Sequence, residues 1–177
     1  MQKSDKIIIL IVGASGVGKD SLLKQFINLE NINIVKRYIT RVADENEDNY
    51  YLSKKDFLDL KNADFFISSW FAHDNFYGIS KNSLNNKINI ISVSRTVIDD
   101  FENMFNNVFT INITLNKSSL KQRLLKRGRE SIFQIENRLK RVDFEVKAKN
   151  LITFENDKPI VESAKNLIYI IEKLSKG

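Results

Sequence analysis

A glycine-rich segment near the start of the chain constrains the fold more than any other feature. Residues 13–20 read Gly-Ala-Ser-Gly-Val-Gly-Lys-Asp and directly follow the apolar run Ile7–Val12. A buried strand that ends in such a turn and continues as a helix directs consecutive backbone N–H groups and the positive helix end at one point. Glycines let the backbone turn tightly and approach an anion, and a lysine adds positive charge. The segment therefore predicts a phosphate-binding loop (P-loop).

The last position of this loop departs from the usual pattern, because Asp20 stands where a Ser or Thr is usual. The usual hydroxyl is a Mg²⁺ ligand, so either Asp20 replaces it as a carboxylate ligand or Ser21 contributes from a shifted position. We expect the whole loop to bind the polyphosphate of a nucleotide, through Gly13, Ala14, Ser15, Gly16, Val17, Gly18, Lys19, Asp20 and Ser21.

Length and composition indicate one domain. The chain has 177 residues, of which 42% are hydrophobic, enough for one well-buried core. Because there is no cysteine, a disulfide framework and a thiolate metal site are excluded, which favours a reducing, cytoplasmic location. The first apolar run spans only six residues and leads into the P-loop, so we interpret it as a core strand and expect no signal peptide and no membrane partner.

The basic residues favour a small, phosphorylated substrate. Although the net charge is +6, the lysines are scattered, which indicates a solvated surface and no nucleic-acid partner. Planar guanidinium groups suit phosphate, and Arg37 and Arg41 would share one face of an extended segment. Further arginines lie in the second half of the chain, at Arg123, Arg127, Arg129, Arg138 and Arg141.

Apolar runs and amphipathic segments alternate along most of the chain. This alternation predicts an α/β fold of the P-loop NTPase type, with a parallel sheet, helices on both faces, and ligands at the carboxyl ends of the strands. A hairpin-like section from Phe65 to Ile79, turning near His73, interrupts the alternation as a small acceptor-binding insertion would. We expect His73, the sole histidine, to be a turn residue. Predicted helices include one capped by Ser53, one from Ser118 to about Lys126, and one from Ser131 to about Lys147.

The class of P-loop protein follows from other segments. Residues 116–119 read Asn-Lys-Ser-Ser, and Ser119 lacks the carboxylate with which a switch GTPase recognises guanine; Ser118 reads better as a helix cap. The segment Arg127-Gly128-Arg129-Glu130, with Arg138, favours phosphoryl transfer to a small acceptor. A hinged segment bearing arginines can close over the γ-phosphate as a lid and exclude water. The alternative for these arginines is a set of surface salt bridges along two helices.

Several motifs together resemble a known family. They are Gly-Lys-Asp-Ser-Leu-Leu at 18–23, Arg-Tyr-Ile-Thr-Arg at 37–41, Ser69-Trp70 followed by Tyr77-Gly78, Ser94-Arg95, and Gln-Arg-Leu-x-x-Arg-Gly-Arg-Glu at 122–130. Over nearly the whole chain this pattern resembles the ribose 1,5-bisphosphate phosphokinases, relatives of guanylate kinase associated with bacterial phosphonate use. The resemblance implies a guanylate kinase-like fold and ATP-dependent phosphorylation of ribose 1,5-bisphosphate to 5-phosphoribosyl 1-diphosphate (PRPP), with Mg²⁺.

Roles for individual residues follow from the resemblance. Lys19, Arg127 and Arg138 are expected to stabilise the transferring phosphoryl group, with Arg129 also at the nucleotide. The acidic residue that guanylate kinase carries after the strand Ile88–Val93 is absent, which favours Asp20 as the Mg²⁺ ligand. Asn156 lies where related kinases hold adenine, although a plain Asn-Asp turn explains it equally well. Residues expected to bind the acceptor are Arg37, Arg41, Tyr77 and Arg95.

Two alternatives stay open at this point. The first is a nucleoside monophosphate kinase of the guanylate kinase type, in which a tyrosine and a glutamate flank the acceptor pocket. Their places hold Asn49 and Phe71, and Phe71 cannot accept hydrogen bonds from guanine. The second is a non-catalytic, guanylate kinase-like protein-binding module, which the intact P-loop disfavours.

The expected organisation is a single kinase domain over residues 1–177. Its core comprises 1–36 and 81–177, its acceptor-binding region about 37–80, and its lid about 126–140. We expect a monomer or a homodimer.

Overall fold

The computed structural model describes residues 6–26, 29, 31–41, 48–128, 130–140 and 145–175. In the described part of the chain, strands and helices alternate as the apolar pattern predicts. The strands are β1 (Ile7–Val12), β2 (Ile32–Ile34), β3 (Tyr38–Ile39), β4 (Tyr50–Tyr51), β5 (Phe66–Ala72), β6 (Asn75–Ser80), β7 (Ile88–Ser92), β8 (Asn107–Thr114) and β9 (Leu151–Glu155). The helices are α1 (Lys19–Leu23), α2 (Lys54–Asn62), α3 (Ile98–Met104), α4 (Lys117–Arg127), α5 (Ile132–Leu139) and α6 (Ile160–Leu174).

The main sheet is parallel and has the strand order β2-β7-β1-β8-β9 among the described residues. Every residue of β1 is buried, because both faces of the sheet are covered. Ile9 and Ile11 pack with residues of α1, α4, α5 and α6, whereas Ile8 and Leu10 pack on the opposite face with residues of α3. The predicted parallel α/β fold with helices on both faces is confirmed.

A second, smaller sheet has the order β4-β3-β6-β5. Its β5 and β6 strands form an antiparallel hairpin, with His73 and Asp74 at the turn, where both have positive φ (50° and 61°). The hairpin predicted from the aromatic pattern is therefore present, and His73 is a turn residue. Helix α2 covers this sheet through the fully buried Phe57, whose ring stacks on Phe66.

The small sheet contacts the main sheet through packed side chains and helix α3 through a hydrogen bond. Ile79 of β6 is fully buried in the same apolar cluster as Ile8 and Leu10 of the main sheet. In addition, Ser68 of β5 donates a hydrogen bond of 2.6 Å to Asp100 of α3. The small sheet is thus packed on the α3 side of the main sheet.

Two local predictions were wrong and one was confirmed. The helix expected from Ser131 to Lys147 ends at Leu139, and residues 145–148 are not helical, because Val146 and Ala148 pack against the apolar cluster on the α3 side of the sheet. The cap of α4 is Asn116 rather than Ser118, since the Asn116 side chain accepts a hydrogen bond from the Ser119 backbone N–H. Ser53 caps α2 as predicted, accepting from the Asp56 N–H at 3.0 Å.

No helix in the described ranges combines the length and apolar composition needed to cross a membrane.

Candidate active site

The P-loop lies at the carboxyl end of β1, between β7 and β8, where the order of the strands reverses. Such a position is the usual ligand-binding crevice of a parallel α/β sheet. Gly13 has a φ of 145°, and a Cβ there would lie 2.3 Å from the carbonyl oxygen of Ile113. Gly18 begins α1 with φ 98° and no side-chain cap. The backbone N–H groups at the start of α1 therefore receive no capping side chain, which suits an anion.

Lys19 extends along the inside of this loop. Its Nζ donates hydrogen bonds to the carbonyl oxygens of Gly13 at 2.7 Å and Ala14 at 3.1 Å. The ammonium group is thereby held beside the loop backbone and close to the start of α1. A bound polyphosphate would compete with these carbonyls for the ammonium protons.

Asp20 is the acidic residue in the first turn of α1, directly after Lys19 of the P-loop. Its side chain is 41% exposed, and Oδ1 lies 3.4 Å from Nη2 of Arg37. No group of three or more His, Cys, Asp or Glu residues that could hold a metal occurs within the described residues. A single carboxylate such as that of Asp20 fits Mg²⁺, because this ion commonly binds one or two carboxylates and completes its shell with water and substrate phosphates. Asp20 would hold the ion, and Ser21 is the exposed alternative beside it.

Arg37 connects the P-loop to the small sheet. The Oδ1 atom of Asn49 accepts hydrogen bonds from both the backbone N–H and Nε of Arg37, at 3.2 and 3.3 Å. The Nη1 atom lies 3.5 Å from the hydroxyl of Ser92 at the end of β7, and the guanidinium is 5.9 Å from the centre of the Tyr77 ring. The sequence identifies Asn49 only by its position at the acceptor pocket and does not predict its contact with Arg37.

Among the other expected acceptor residues, Tyr77 is brought next to Arg37. Tyr77 is 8% exposed, and its ring stacks on Trp70 with a centroid distance of 5.4 Å and an interplanar angle of 7°. Arg95 is exposed just beyond the carboxyl end of β7, and Arg41 follows β3. Phe71 is 58% exposed near the tip of the hairpin.

The expected lid residues are partly brought to the P-loop. Arg138 of α5 donates a hydrogen bond of 2.7 Å to the hydroxyl of Ser15 and forms an ion pair with Glu130. Arg127 is exposed in the last turn of α4, before Gly128 ends the helix with φ 63°. Arg129 lies outside the described residues. The capping box of Ser131 and Gln134 begins α5 close to the Arg138 partner Glu130.

Asn156 and Arg123 both contact the P-loop backbone. Asn156 is 1% exposed, and its Nδ2 donates to the carbonyl oxygen of Val17 at 2.8 Å. Arg123 donates to the same oxygen at 3.2 Å and to the Asn156 carbonyl at 2.9 Å. Burial lowers the pKa of Arg123, and the charge of Arg127 lowers it further. From sequence, Arg123 is identified only as one of the clustered arginines, although its spacing of one helical turn from Arg127 indicates a shared face.

Comparisons with known proteins agree with this architecture. No family model matches the chain. It is 34% identical to the ribose 1,5-bisphosphate phosphokinase PhnN of Pectobacterium parmentieri over 146 residues, covering 78% of each chain. It is 30% identical to the enzyme of the same name from Agrobacterium fabrum over 176 residues, covering 94% of this chain and 96% of that one. A guanylate kinase from Anaplasma phagocytophilum, 20% identical, has the same fold with a TM-score of 0.69 over all of this chain and 90% of the other.

The fold and the site together define a P-loop kinase with guanylate kinase-like architecture. The identity to curated relatives over most of their length specifies the group further. The chain belongs to the ribose 1,5-bisphosphate phosphokinase family.

Proposed function

We propose that this kinase transfers the γ-phosphoryl group of ATP to the 1-phosphate of ribose 1,5-bisphosphate, giving PRPP and ADP. The observation that carries the proposal is the position of Arg37. Its guanidinium lies between Asp20 of the P-loop and the Asn49 and Tyr77 side chains at the small sheet. A cation at the junction of the donor and acceptor regions suits an acceptor whose reacting group is itself a phosphate.

The chemistry needs little from the protein except positioning and charge. An ionised oxygen of the 1-phosphate attacks the γ-phosphorus, the bond from that phosphorus to the β,γ-bridging oxygen breaks, and ADP leaves with the electron pair. No proton has to be removed from the acceptor, so no general base is required. Because no base is needed, the reaction does not require His73, which lies in the turn of the β5–β6 hairpin.

The charged and acceptor-facing residues of the expected site divide into three tasks in this proposal. Lys19 and Arg138 would stabilise charge on the β- and γ-phosphates, with Arg127 and Arg129 joining when the lid closes. Mg²⁺, held by Asp20 and by the nucleotide, would neutralise charge that develops on the transferring group. Arg37, with Arg41, Arg95 and Tyr77, would orient the two phosphates of the acceptor.

The regional division follows from these tasks. We assign nucleotide binding to residues 1–36 and 81–177, acceptor binding to about 37–80, and the lid to about 126–140, within one domain. We also expect a cytoplasmic enzyme, active as a monomer or homodimer, whose partners are small phosphorylated molecules rather than nucleic acid.

The test is an ADP-release assay with MgATP that offers ribose 1,5-bisphosphate, GMP, AMP or no acceptor in parallel. We expect turnover with ribose 1,5-bisphosphate alone. Turnover with GMP would instead identify a nucleoside monophosphate kinase, and absence of ATP binding by calorimetry would support a non-catalytic module. Arg37→Lys keeps the charge but loses the planar fork, so it should raise KM for ribose 1,5-bisphosphate while leaving KM for ATP nearly unchanged.

A further inference from the structure

The backbone between Val17 and Gly18 is held by two side chains from distant parts of the chain. The carbonyl oxygen of Val17 accepts hydrogen bonds from Asn156 Nδ2 at 2.8 Å and from Arg123 Nη1 at 3.2 Å. Arg123 also donates to the backbone carbonyl of Asn156, at 2.9 Å, so the two donors are joined to each other. We call Arg123 and Asn156 the Val17 clamp.

The geometry of a peptide bond gives this clamp a consequence on its other side. The described chain contains no cis peptide bond, so the Val17 C=O and the Gly18 N–H point in opposite directions. Donors that fix the carbonyl on one side therefore fix the N–H on the other. This N–H is one of the donors at the start of α1 that receive no side-chain cap.

Gly18 provides the space that the clamp needs. A Cβ at Gly18 would lie 2.7 Å from Asn156 Nδ2 and 3.3 Å from Arg123 Nη1. The absence of a side chain at this position thus lets both donors reach the loop. The positive φ of 98° is a second reason for glycine at the same residue.

Backbone and side-chain contacts fix the orientation of Asn156. Its backbone N–H donates to the carbonyl of Thr114 at 2.9 Å, which continues the pairing of β8 with β9. Its side chain is buried, and Oδ1 accepts no hydrogen bond from the described residues. The donor end of this buried amide is satisfied at the Val17 carbonyl, and this contact holds the loop.

We propose that Arg123 and Asn156 are positioning residues that aim the Gly18 N–H at the polyphosphate of the nucleotide. The inference rests on the proposed role of the P-loop in ATP binding and assigns Asn156 a task other than adenine recognition. Because α4 carries both Arg123 and Arg127, the clamp also joins the P-loop to the helix that leads into the lid. The clamp acts on the phosphates alone, so its loss should weaken any polyphosphate ligand equally.

Calorimetry with two ligands tests this assignment, using MgATP and the magnesium complex of inorganic triphosphate, which has no adenine. The variants are Arg123→Met and Asn156→Leu, which keep side-chain volume but remove the donors. We expect each to weaken both ligands by a similar factor of about tenfold, the size of a lost hydrogen bond to a charged or buried group. In steady state, KM for ATP should rise while KM for ribose 1,5-bisphosphate stays close to wild type.

Control variants separate the clamp from general effects of substitution. Lys165→Met removes a charge from an exposed position of α6, outside the P-loop and the lid, and should leave both affinities unchanged. Arg123→Lys retains the charge and one possible donor, so it should keep part of the affinity that Arg123→Met loses. If Arg123→Met does not fold, Arg123→Lys tests the role of Arg123 in its place. Circular dichroism and the thermal midpoint verify folding of each variant.

The outcomes are distinguishable. If Asn156→Leu weakens ATP but leaves triphosphate unaffected, Asn156 contacts adenine and the proposal is overturned. Unchanged affinity for both ligands in the clamp variants would overturn it as well. If the wild-type protein binds neither ligand, the proposed role of the P-loop in ATP binding is wrong, and that result is distinct from a failure of the clamp variants alone.

Discussion

At the scale of single residues, the charged groups of the site are held by one another and by the P-loop backbone. Lys19 contacts loop carbonyls, Asp20 contacts Arg37, and Arg138 contacts Ser15 and Glu130. Desolvated charges need such partners, because an unpaired charge is costly in a partly buried site. Binding of phosphates must therefore exchange these contacts for contacts with the ligand.

Lys19 gives the most direct test of the P-loop. Lys19→Ala should lower turnover by roughly three orders of magnitude, because the phosphates lose their closest point charge in the transition state. The fold should be unchanged by circular dichroism, since the Lys19 hydrogen bonds to the Gly13 and Ala14 carbonyls lie within the loop itself. Lys165→Met, an equal loss of charge at an exposed position of α6, is the control. Retained turnover in Lys19→Ala would remove the loop from the mechanism.

Asp20 and Ser21 can be separated as Mg²⁺ ligands by titrating the metal. If Asp20 binds the ion, Asp20→Ser should raise the Mg²⁺ concentration that gives half-maximal rate by about tenfold, because a hydroxyl replaces a carboxylate. Ser21→Ala should then leave the Mg²⁺ dependence unchanged. The reverse pattern would assign the ligand to Ser21.

At the scale of elements, local patterns identified most of the structure. The strand, glycine turn and helix at the P-loop and the aromatic hairpin are present because each is encoded within about fifteen residues. The predicted end of α5 was wrong, because the apolar residues beyond Leu139 continue a helical spacing in the sequence. In the structure, Val146 and Ala148 pack as a non-helical segment. Tertiary packing thus overrode local periodicity. Three polar residues compete at the start of α4, and spacing alone did not identify Asn116 as its cap.

The hairpin turn between β5 and β6 offers a stabilising substitution. His73 and Asp74 both adopt positive φ, which side chains disfavour and which Asn-Gly adopts readily. The double variant His73→Asn with Asp74→Gly should stabilise the protein by about 1 kcal/mol, a rise in Tm of about 2–4 °C. Turnover and its pH profile should match wild type. A tenfold loss of turnover would show that the histidine takes part in the reaction.

The first turn of α5 controls how firmly Arg138 is held. Ser131 accepts a hydrogen bond from the Gln134 N–H at 3.3 Å, and Gln134 accepts one from the Ser131 N–H at 2.8 Å. Ser131→Ala should cost about 1 kcal/mol of helix stability. We expect faster hydrogen exchange over residues 132–139 and a severalfold lower kcat. Ser53→Ala, which removes the same type of cap from α2, should leave exchange in α5 unchanged.

At the scale of the whole molecule, the site depends on contacts between residues far apart in sequence. Val17 meets Asn156 across 139 positions, and Ser15 meets Arg138 across 123. The sequence predicted that loop, lid and C-terminal turn serve one nucleotide site, since parallel strands place their carboxyl ends together. It could not predict which side chains would meet, because the partners depend on helix packing and on the exact rotation of α4 and α5.

The Asp20–Arg37 contact joins the two regions and predicts that the substrates bind cooperatively. Nucleotide with Mg²⁺ would draw Asp20 to the metal, and Arg37 would then meet the acceptor phosphate without a competing carboxylate. Calorimetry should show ribose 1,5-bisphosphate binding about two- to fivefold tighter in the presence of a non-hydrolysable MgATP analogue. This range corresponds to about 0.5–1 kcal/mol for a partly exposed ion pair.

Substitution of Asp20 tests the origin of this coupling. In Asp20→Asn, the Arg37 guanidinium has no carboxylate at residue 20 to release. The MgATP analogue should therefore no longer strengthen acceptor binding. Without nucleotide, the variant should bind the acceptor more tightly than wild type does. Glu145→Gln is the matched control, because Glu145 pairs with Lys147 at the surface, at 3.8 Å, outside the acceptor region and the lid. Equal coupling in wild type and Asp20→Asn would mean that the two sites are coupled through another route, such as closure of the lid. The position of Arg37 would then be independent of the nucleotide.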